Sequence, residues 1–422
     1  MPEPVKLTGM TATEVAAGVA AGALSAEEAV TAALERLEAR ADLRATITIC
    51  GEEAVARARA GVRGRLAGVP LLVKDLIDTA GVRTTYASAI YADHVPERTA
   101  PAVAALEAEG AIVVAKANAD EFAWGVSGQN VHFGDVVNPR RPDRIAGGSS
   151  AGNAAALAAD LVPLALGTDT GGSVRMPAAA CGVVGLKPAL GAVSTEGVFP
   201  LAASFDTVGP MARTVADCAL AHAILTGIDV PGPRLAGLCV GVLAARPDVA
   251  GADAAEPRDP RAEAVAERLR AAGADVREVA LPRPPGDTWP VFLSDAAAAH
   301  TATFPARRDE YGPTIRAKLD AAVRVRPAER AAGLAALAAW RSGAASEPAV
   351  DLVASPALGL AELPAIGTDE LEIRLPFSAY ARAFSLLGWP AIALGDLQLA
   401  GRRADVVIAA ALALEHEGPP AA

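Results

Sequence analysis

The sequence predicts an α/β protein with a large, mixed, mostly parallel β-sheet that is covered by helices on both faces. Short apolar runs of strand length alternate with stretches of helical pattern along most of the chain, as in sheets whose strands are joined by helical crossovers. The strand-like runs are apolar throughout, so both faces of the sheet are expected to be buried. Because 52% of the 422 residues are hydrophobic, the chain can fill one large core.

The N-terminal half follows this alternation from its first helices. Thr11 with Glu14, and Ser25 with Glu28, fit capping boxes ahead of runs rich in Ala, Val and Leu. The elements expected next are strand 68–75, helix 101–110, strand 111–118, helix 153–160, strand 162–167, strand 182–188 and helix 214–226.

The alternation restarts at "LCVGVLAARP", which predicts another strand. A helix at 260–273 and strands at 274–282 and 351–359 are expected after it. Residues 285–348 are rich in Ala and irregular in pattern, which predicts a helical cap over the sheet. No internal repeat is found, and we expect residues 1–422 to form a single domain.

The composition disfavours several classes of protein. A net charge of −11 makes nucleic acid a poor partner. Charged residues or glycines interrupt the apolar stretches, so no membrane segment is expected, and the N-terminus lacks the pattern of a secretory signal. We therefore expect a cytoplasmic protein. The scattered cysteines predict buried thiols rather than disulfides or a zinc site: Cys50, Cys181, Cys218 and Cys239.

A glycine-rich segment from Gly147 to Gly182 carries candidate nucleophiles. Each of its two Gly-Gly pairs is followed by serine, at Ser149 and at Ser173. Neither GxxxxGK[ST] nor GxGxxG is present, which disfavours phosphate binding. The GxSxG pattern of α/β hydrolases is also absent. His132 is the histidine most compatible with catalysis, but nothing in the sequence supports it as a base.

A serine activated by lysine is the third interpretation. It requires a lysine whose pKa is lowered by burial, from about 10.4 in water, so that the neutral amine can accept a proton. Lys74 ends the apolar strand "GVPLLVKD" and fits this requirement, although it could also emerge there into solvent. Lys116 and Lys187 end similar strands and are rivals. The residues alone leave the choice open.

Several blocks together resemble the amidase signature family. They are "GVPLLVKDLIDTAGVRTTYAS", the segment 147–188 and "SFDTVGPMARTVADCALAHAILTG". The resemblance is continuous from Thr11 to Gly227, and it returns at 259–282 and at 386–403. The presence of independent blocks in one order makes the resemblance specific.

The resemblance implies a Ser-cisSer-Lys triad and an acyl-enzyme mechanism. Lys74 would be the base, Ser149 the bridging serine after a cis peptide bond, and Ser173 the nucleophile. A hydroxyl can donate and accept at once, so Ser149 could relay the proton of Ser173 to Lys74. No metal or cofactor is implied. The oxyanion hole would consist of backbone N–H groups, those of Thr170, Gly171, Gly172 and Ser173.

Further residues take supporting roles in this interpretation. Ser150 would support the triad by a hydrogen bond, cap the next helix, or do both. Asp169 and Arg175 would brace the nucleophile loop. The substrate, a small-molecule amide, would contact the segment 121–130, and a homodimer is left open by analogy with relatives. The residues expected at the substrate are Trp124, which could instead pack in the core, Gly125 and Ser127.

The sequence departs from the family pattern at two places. Ala151 replaces the glycine usual after "GGSS", which removes no catalytic group. The connection in "WPAIALGDLQLAGRR" passes directly through Gly395 and Asp396, where relatives carry an extended loop. The short connection predicts a more open pocket that accepts bulky amides, anilides or carbamates.

Two other functions are weighed against a free amidase. The A subunit of the glutamyl/aspartyl-tRNA amidotransferase uses the same triad, but it usually has Gln where Met176 stands and is a longer chain. A catalytically inactive binding scaffold of the same fold is disfavoured, because all three triad residues are present.

Overall fold

The computed structural model describes residues 8–229, 232–247 and 257–416. Every predicted helix and strand is present within a few residues. The described ranges contain α1 Ala12–Ala20, α2 Ala26–Ala39, α3 Gly51–Arg59, α4 Pro101–Ala108, α5 Ala151–Ala158, α6 Arg175–Cys181, α7 Val215–Thr226, α8 Arg261–Ala271, α9 Trp289–Ala299, α10 Pro313–Ala322, α11 Pro327–Ala344, α12 Glu370–Leu387 and α13 Ala404–His416. The strands are β1 Thr46–Ile49, β2 Pro70–Lys74, β3 Ile112–Ala117, β4 Leu164–Asp169, β5 Val184–Lys187, β6 Thr207–Ala212, β7 Cys239–Leu243, β8 Asp275–Val279, β9 Leu352–Pro356, β10 Ala391–Leu394 and β11 Leu397–Ala400.

These strands form one mixed sheet in the order β1-β3-β2-β4-β6-β5-β10-β11-β9-β7-β8. The predicted large mixed sheet is confirmed, but its parallel share is smaller than expected. Parallel pairing is confined to β3-β2-β4 and β9-β7-β8, and the neighbours between these groups are antiparallel. A strand buried on both faces is apolar throughout in either orientation, so the sequence pattern does not report its direction.

Helices cover both faces of the sheet, and alternate residues of β2 show it. Leu71 and Val73 belong to a hydrophobic cluster that includes residues of α4, α7 and α13. Leu72 belongs to a different cluster that includes residues of α2 and α5. Since side chains along a strand alternate between faces, Lys74 ends β2 on the Leu72 side, where α5 begins.

The segment 285–348 contains three helices, α9, α10 and α11. Phe292, Leu319 and Trp340 on these helices share a hydrophobic cluster with Trp124 and with Phe384 of α12. The helices of this segment therefore pack on α12 and on the segment that follows β3.

Local signals behave as the sequence indicates. The capping boxes of α1 and α2 are formed by Thr11 with Glu14 and by Ser25 with Glu28. The β10-β11 hairpin turns through Gly395, whose φ of +62° suits glycine, and Asp396. Of the helices described, none has the length and apolar character needed to cross a bilayer. The cysteines are unbridged; Cys50, Cys181 and Cys218 are buried, whereas Cys239 is partly exposed.

Candidate active site

The candidate catalytic residues lie at one edge of the sheet. Strands β3, β2 and β4 are parallel neighbours, so their carboxyl ends meet at the same edge, where α/β proteins commonly bind ligands. Lys74 is the last residue of β2 and Asp169 the last of β4. Ser149 and Ser150 immediately precede α5, and Ser173 immediately follows the turn after β4.

Lys74 is fully buried and directed at serine. Its Nζ donates to Ser149 Oγ at 2.7 Å and to Thr168 Oγ1 at 2.8 Å. Burial lowers the pKa of Lys74 to about 7, against the opposing effect of Asp120, Asp169 and Asp206. The amine can therefore be neutral near neutral pH, as a lysine base requires.

The rival lysines are also buried, but their contacts differ. Burial lowers the pKa of Lys116 to about 8. Burial and the nearby Arg175 charge lower the pKa of Lys187 to about 7. Lys116 Nζ contacts Ile77 O and two threonine hydroxyls. Lys187 Nζ donates to Pro188 O at 2.8 Å. Their pKa values thus do not set Lys74 apart; its contact with Ser149 does.

Ser149, the predicted bridging serine, and the glycine before it are tightly packed and buried. The Gly148–Ser149 peptide bond is cis, and the Ser149 side chain is fully buried. A Cβ at Gly148 would lie 2.2 Å from Asp120 Oδ2 and 2.9 Å from Val126 C, so a larger residue cannot be accommodated there. Glycine at 148 therefore keeps Ser149 within reach of Lys74.

Ser173 is 5% exposed and lines the main cavity of this edge. The Ser150 N–H donates to Ser173 O at 3.1 Å, which ties the two serine-bearing loops together. Within the described residues, Ser173 Oγ takes part in no hydrogen bond. The Lys74–Ser149 contact of the predicted relay is formed, and the Ser149–Ser173 contact stays a prediction.

The backbone N–H groups around Ser173 differ in their availability. The Gly172 N–H was expected in the oxyanion hole, but it donates to Asp169 Oδ1 at 2.8 Å. The N–H groups of Thr170, Gly171 and Ser173 donate to no acceptor among the described residues, and all three residues line the cavity. These three donors, without Gly172, are the candidates for binding an oxyanion.

A buried ion pair supports the nucleophile turn. Arg175 Nε lies 2.9 Å from Asp169 Oδ2, and both side chains are fully buried. Arg175 also donates to Gln398 Oε1 at 2.6 Å and to Ser385 Oγ at 2.7 Å. Burial alone would raise the pKa of Asp169, but the charge and hydrogen bonds of Arg175, together with the Lys187 charge and the Val174 N–H, outweigh burial and the pKa falls to about 2. Asp169 thus stays ionised and able to hold the Gly172 N–H.

Ser150 and His132 have structural contacts. Ser150 occupies the N-cap position of α5 without a side-chain capping bond, so the capping interpretation is wrong. Its Oγ instead donates at 3.3 Å to the backbone carbonyl of Thr168, the same residue whose hydroxyl Lys74 contacts. The His132 ring is hydrogen-bonded to Glu121, with Nε2 at 2.8 Å from Glu121 Oε1, and among the described residues it makes no hydrogen bond with the serines of the site. Across the described ranges, no group of three His, Cys, Asp or Glu side chains suits a metal ion.

Two polar residues of the site were missed by the sequence reasoning. Thr168 accepts from Lys74. Asp120 is buried, accepts the Gly128 N–H at 3.1 Å, and has its pKa raised to about 7 by burial and by Glu370. Two signals were available in the sequence. Thr168 is a polar residue inside the apolar strand "LALGTD", and Asp120 is a carboxylate just after β3 at the same edge.

The cavity beside Ser173 encloses about 590 Å³ of empty space, part of it open to solvent, and has mainly apolar walls. Trp124 and Gly125 line it, as predicted. Ser127 does not; it lines a neighbouring cavity of about 410 Å³, because its hydroxyl turns toward Asp120. The β10-β11 hairpin is absent from the described lining of this cavity. The cap helices and α12 contribute part of the wall, alongside the segments of Trp124 and Ser173: Trp289, Phe292, Lys318, Glu370, Arg374, Leu375, Ser378, Arg382 and Leu386.

Comparison with known families decides the identity of this scaffold. The family model described as Amidase matches residues 28–347, about three quarters of the chain. The chain belongs to the amidase signature family. The resemblance found in the sequence is confirmed at this level.

Relatives of this amidase include several functions. The A subunit of the glutamyl-tRNA(Gln) amidotransferase of Roseiflexus sp. (strain RS-1) is 41% identical over 310 residues, which cover 67% of this chain and 62% of that relative. The chain thus spans less than two thirds of the length of this relative. A crystal structure of an amidase is 32% identical, with a TM-score of 0.86, covering 97% of this chain and 100% of that one. A 6-aminohexanoate cyclic dimer hydrolase complexed with substrate is 27% identical, with a TM-score of 0.87 and 98% coverage of both chains.

Proposed function

We propose that this amidase hydrolyses a carboxylic amide, including bulky amides such as anilides, through a covalent acyl-Ser173 intermediate. The observation that carries the proposal is the 2.7 Å contact of buried Lys74 with Ser149, next to a cavity lined by Ser173. The aromatic walls of that cavity, including Trp124, support an aryl or long acyl substrate better than a small polar one.

Acylation begins when Ser173 Oγ attacks the carbonyl carbon. Its proton passes to Ser149 as Ser149 passes its own proton to neutral Lys74, so no isolated charge is left on either hydroxyl. The new C–O bond makes a tetrahedral oxyanion, which the N–H groups of Thr170, Gly171 and Ser173 stabilise. The proton then returns through Ser149 to the amide nitrogen as the C–N bond breaks and the amine leaves.

Deacylation uses the same groups with water as the nucleophile. Water enters where the amine has left and gives up a proton through Ser149 to Lys74. Its oxygen bonds to the acyl carbon, and the ester bond to Ser173 breaks as the serine takes the proton back. The products are the free acid and the regenerated enzyme.

The relatives support a second candidate, an ammonia-releasing component of a tRNA-dependent amidotransferase. The 41% identity to the A subunit of a glutamyl-tRNA(Gln) amidotransferase favours it by sequence. The site favours a free amidase, because Met176 lines the cavity at a position where the family resemblance implies Gln in an amidotransferase A subunit. Both candidates share the acyl-serine chemistry and differ in substrate and in the need for a partner.

Turnover by the isolated chain separates the two candidates. We expect acyl 4-nitroanilides to be hydrolysed without any partner, and glutamine to be at least about 100-fold slower in kcat/KM, because its ammonium group would lose water beside mainly apolar and aromatic walls. Release of 4-nitroaniline and of ammonia would be measured for the same preparation. Preferential deamidation of glutamine, or activity only with an added amidotransferase partner, would favour the second candidate.

The pH dependence of kcat/KM is expected to show an acidic limb near pH 7. Lys74 accepts a proton only when neutral, and its pKa is about 7, so activity should fall about tenfold per pH unit below that value. Since the Asp120 carboxylate raises the pKa of Lys74, Asp120→Asn should move the limb to lower pH. Asp143→Asn, at the surface, serves as the control. A flat profile from pH 5 to pH 9 would contradict a lysine base.

A further inference from the structure

One face of α12 places a polar stripe in the wall of the catalytic cavity. Glu370, Arg374, Ser378 and Arg382 all line this cavity. They recur at every fourth residue, which puts them on one side of a helix. At 1.5 Å per residue the stripe extends about 18 Å. An otherwise apolar pocket therefore carries two guanidinium groups.

The negative charge of the stripe is already neutralised. Glu370 Oε2 lies 2.6 Å from Lys318 Nζ, and both side chains are at least nine-tenths buried. Lys318 also donates to Trp124 O at 2.5 Å. Since Lys318 balances Glu370, Arg374 adds a positive charge to the cavity wall, although the chain as a whole is acidic.

Arg374 lacks an anionic partner among the residues that the structure describes. Its Nε is buried and has no hydrogen-bond acceptor there, and its guanidinium lies 5.8 Å from the ring centroid of Trp289. Arg382 lies 5.6 Å from the same centroid, and Trp289 stacks on Phe292 at 4.6 Å. A buried donor without an acceptor is costly, so a group entering the cavity would be bound most strongly if it supplied one.

We propose that the substrate amide carries a carboxylate, which Arg374 binds while Trp289 and Phe292 pack against the apolar part of the molecule. A guanidinium pairs with a carboxylate through parallel hydrogen bonds, which explains arginine rather than lysine at this position. This substrate class rests on the proposed function, because it describes what the same cavity selects.

Matched anilides test the carboxylate. Glutaryl-4-nitroanilide ends its acyl chain in a carboxylate, whereas pentanoyl-4-nitroanilide of the same length ends in a methyl group. We expect the wild type to prefer the glutaryl compound by about 10- to 100-fold in kcat/KM, the range of a charge-assisted hydrogen bond. Arg374→Gln should bring the glutaryl-to-pentanoyl ratio of kcat/KM close to one, and Arg374→Lys should restore part of the preference.

A control variant and a binding measurement complete the test. Arg316→Gln removes a charge from α10 that pairs with Asp309 outside the cavity and should leave the preference intact. Calorimetry on Ser173→Ala separates this proposal from the proposed function. Tighter binding of the glutaryl compound, weakened about tenfold or more by adding Arg374→Gln, supports the subsite even if no anilide is hydrolysed. Equal affinity for the two compounds, or binding of neither, overturns it.

Discussion

Replacing Ser173 by alanine is expected to lower the rate of amide hydrolysis by about 10⁶-fold, the scale seen when a catalytic serine is removed from another hydrolase. The substitution deletes the only atom proposed to bond to the acyl carbon, while the cavity that binds the substrate is kept. The rate of 4-nitroanilide hydrolysis and covalent labelling by a fluorophosphonate probe would be measured together. The variant should neither turn over substrate nor take the label, and its affinity for substrate should be close to that of the wild type.

Two further variants show whether the serine acts with Lys74 as a unit. Ser194→Ala changes an exposed serine outside the cavity and should retain full activity and labelling. Lys74→Met should be almost as inactive as Ser173→Ala, and the double variant no slower than either, because residues of one proton relay are not additive. Retained labelling in Ser173→Ala, or losses that multiply in the double variant, would refute the relay.

The sequence predicted the parts of this site whose position follows from strand ends and turns. Lys74 had to lie at the carboxyl edge, because "GVPLLVKD" is a buried strand that ends there. The glycines of the two serine-bearing loops predicted tight turns of the backbone. The family resemblance assigned the roles of Ser149 and Ser173. The short β10-β11 turn was also predictable, because only Gly395 and Asp396 separate the two strand-like runs.

Other features depend on side-chain direction, which the sequence does not report. Gly172 donates to Asp169, and Ser127 turns toward Asp120, although both lie in segments predicted at the site. The arginines of α12 are far from the glycine-rich loops in sequence, so only the fold brings them to the cavity of Ser173. The antiparallel centre of the sheet was hidden for a similar reason, because buried strands are apolar in either direction.

The choice among three buried lysines shows what structure adds to chemistry. Burial lowers the pKa of Lys74, Lys116 and Lys187 alike, so a neutral amine is available at three places. Lys187 contacts a backbone carbonyl, and Lys116 contacts a carbonyl and two threonine hydroxyls. Lys74 alone among the three contacts Ser149, whose loop is hydrogen-bonded to that of Ser173. A base is therefore defined here by what it touches rather than by its pKa alone.

Removal of the Arg175 charge is expected to have the largest effect on stability. Arg175→Met would leave Asp169 buried and without its counter-charge, and breaking one partner of a buried pair costs about 3–5 kcal/mol in free energy of unfolding. The contacts to Gln398 and Ser385 would be lost as well. Urea unfolding followed by circular dichroism would measure the change, with Arg330→Met, which removes a partly exposed pair with Asp295, as the control.

The same substitution should also disturb the nucleophile turn, because Asp169 holds the Gly172 N–H only while it is ionised and oriented by Arg175. Labelling of Ser173 by a fluorophosphonate should therefore slow in Arg175→Met under conditions in which the variant is still folded. Replacing both residues, as Asp169→Asn with Arg175→Met, should recover part of the stability, since no unpaired charge remains, but not the labelling rate. A stable Arg175→Met variant with normal labelling would show that the pair supports neither the fold nor the turn.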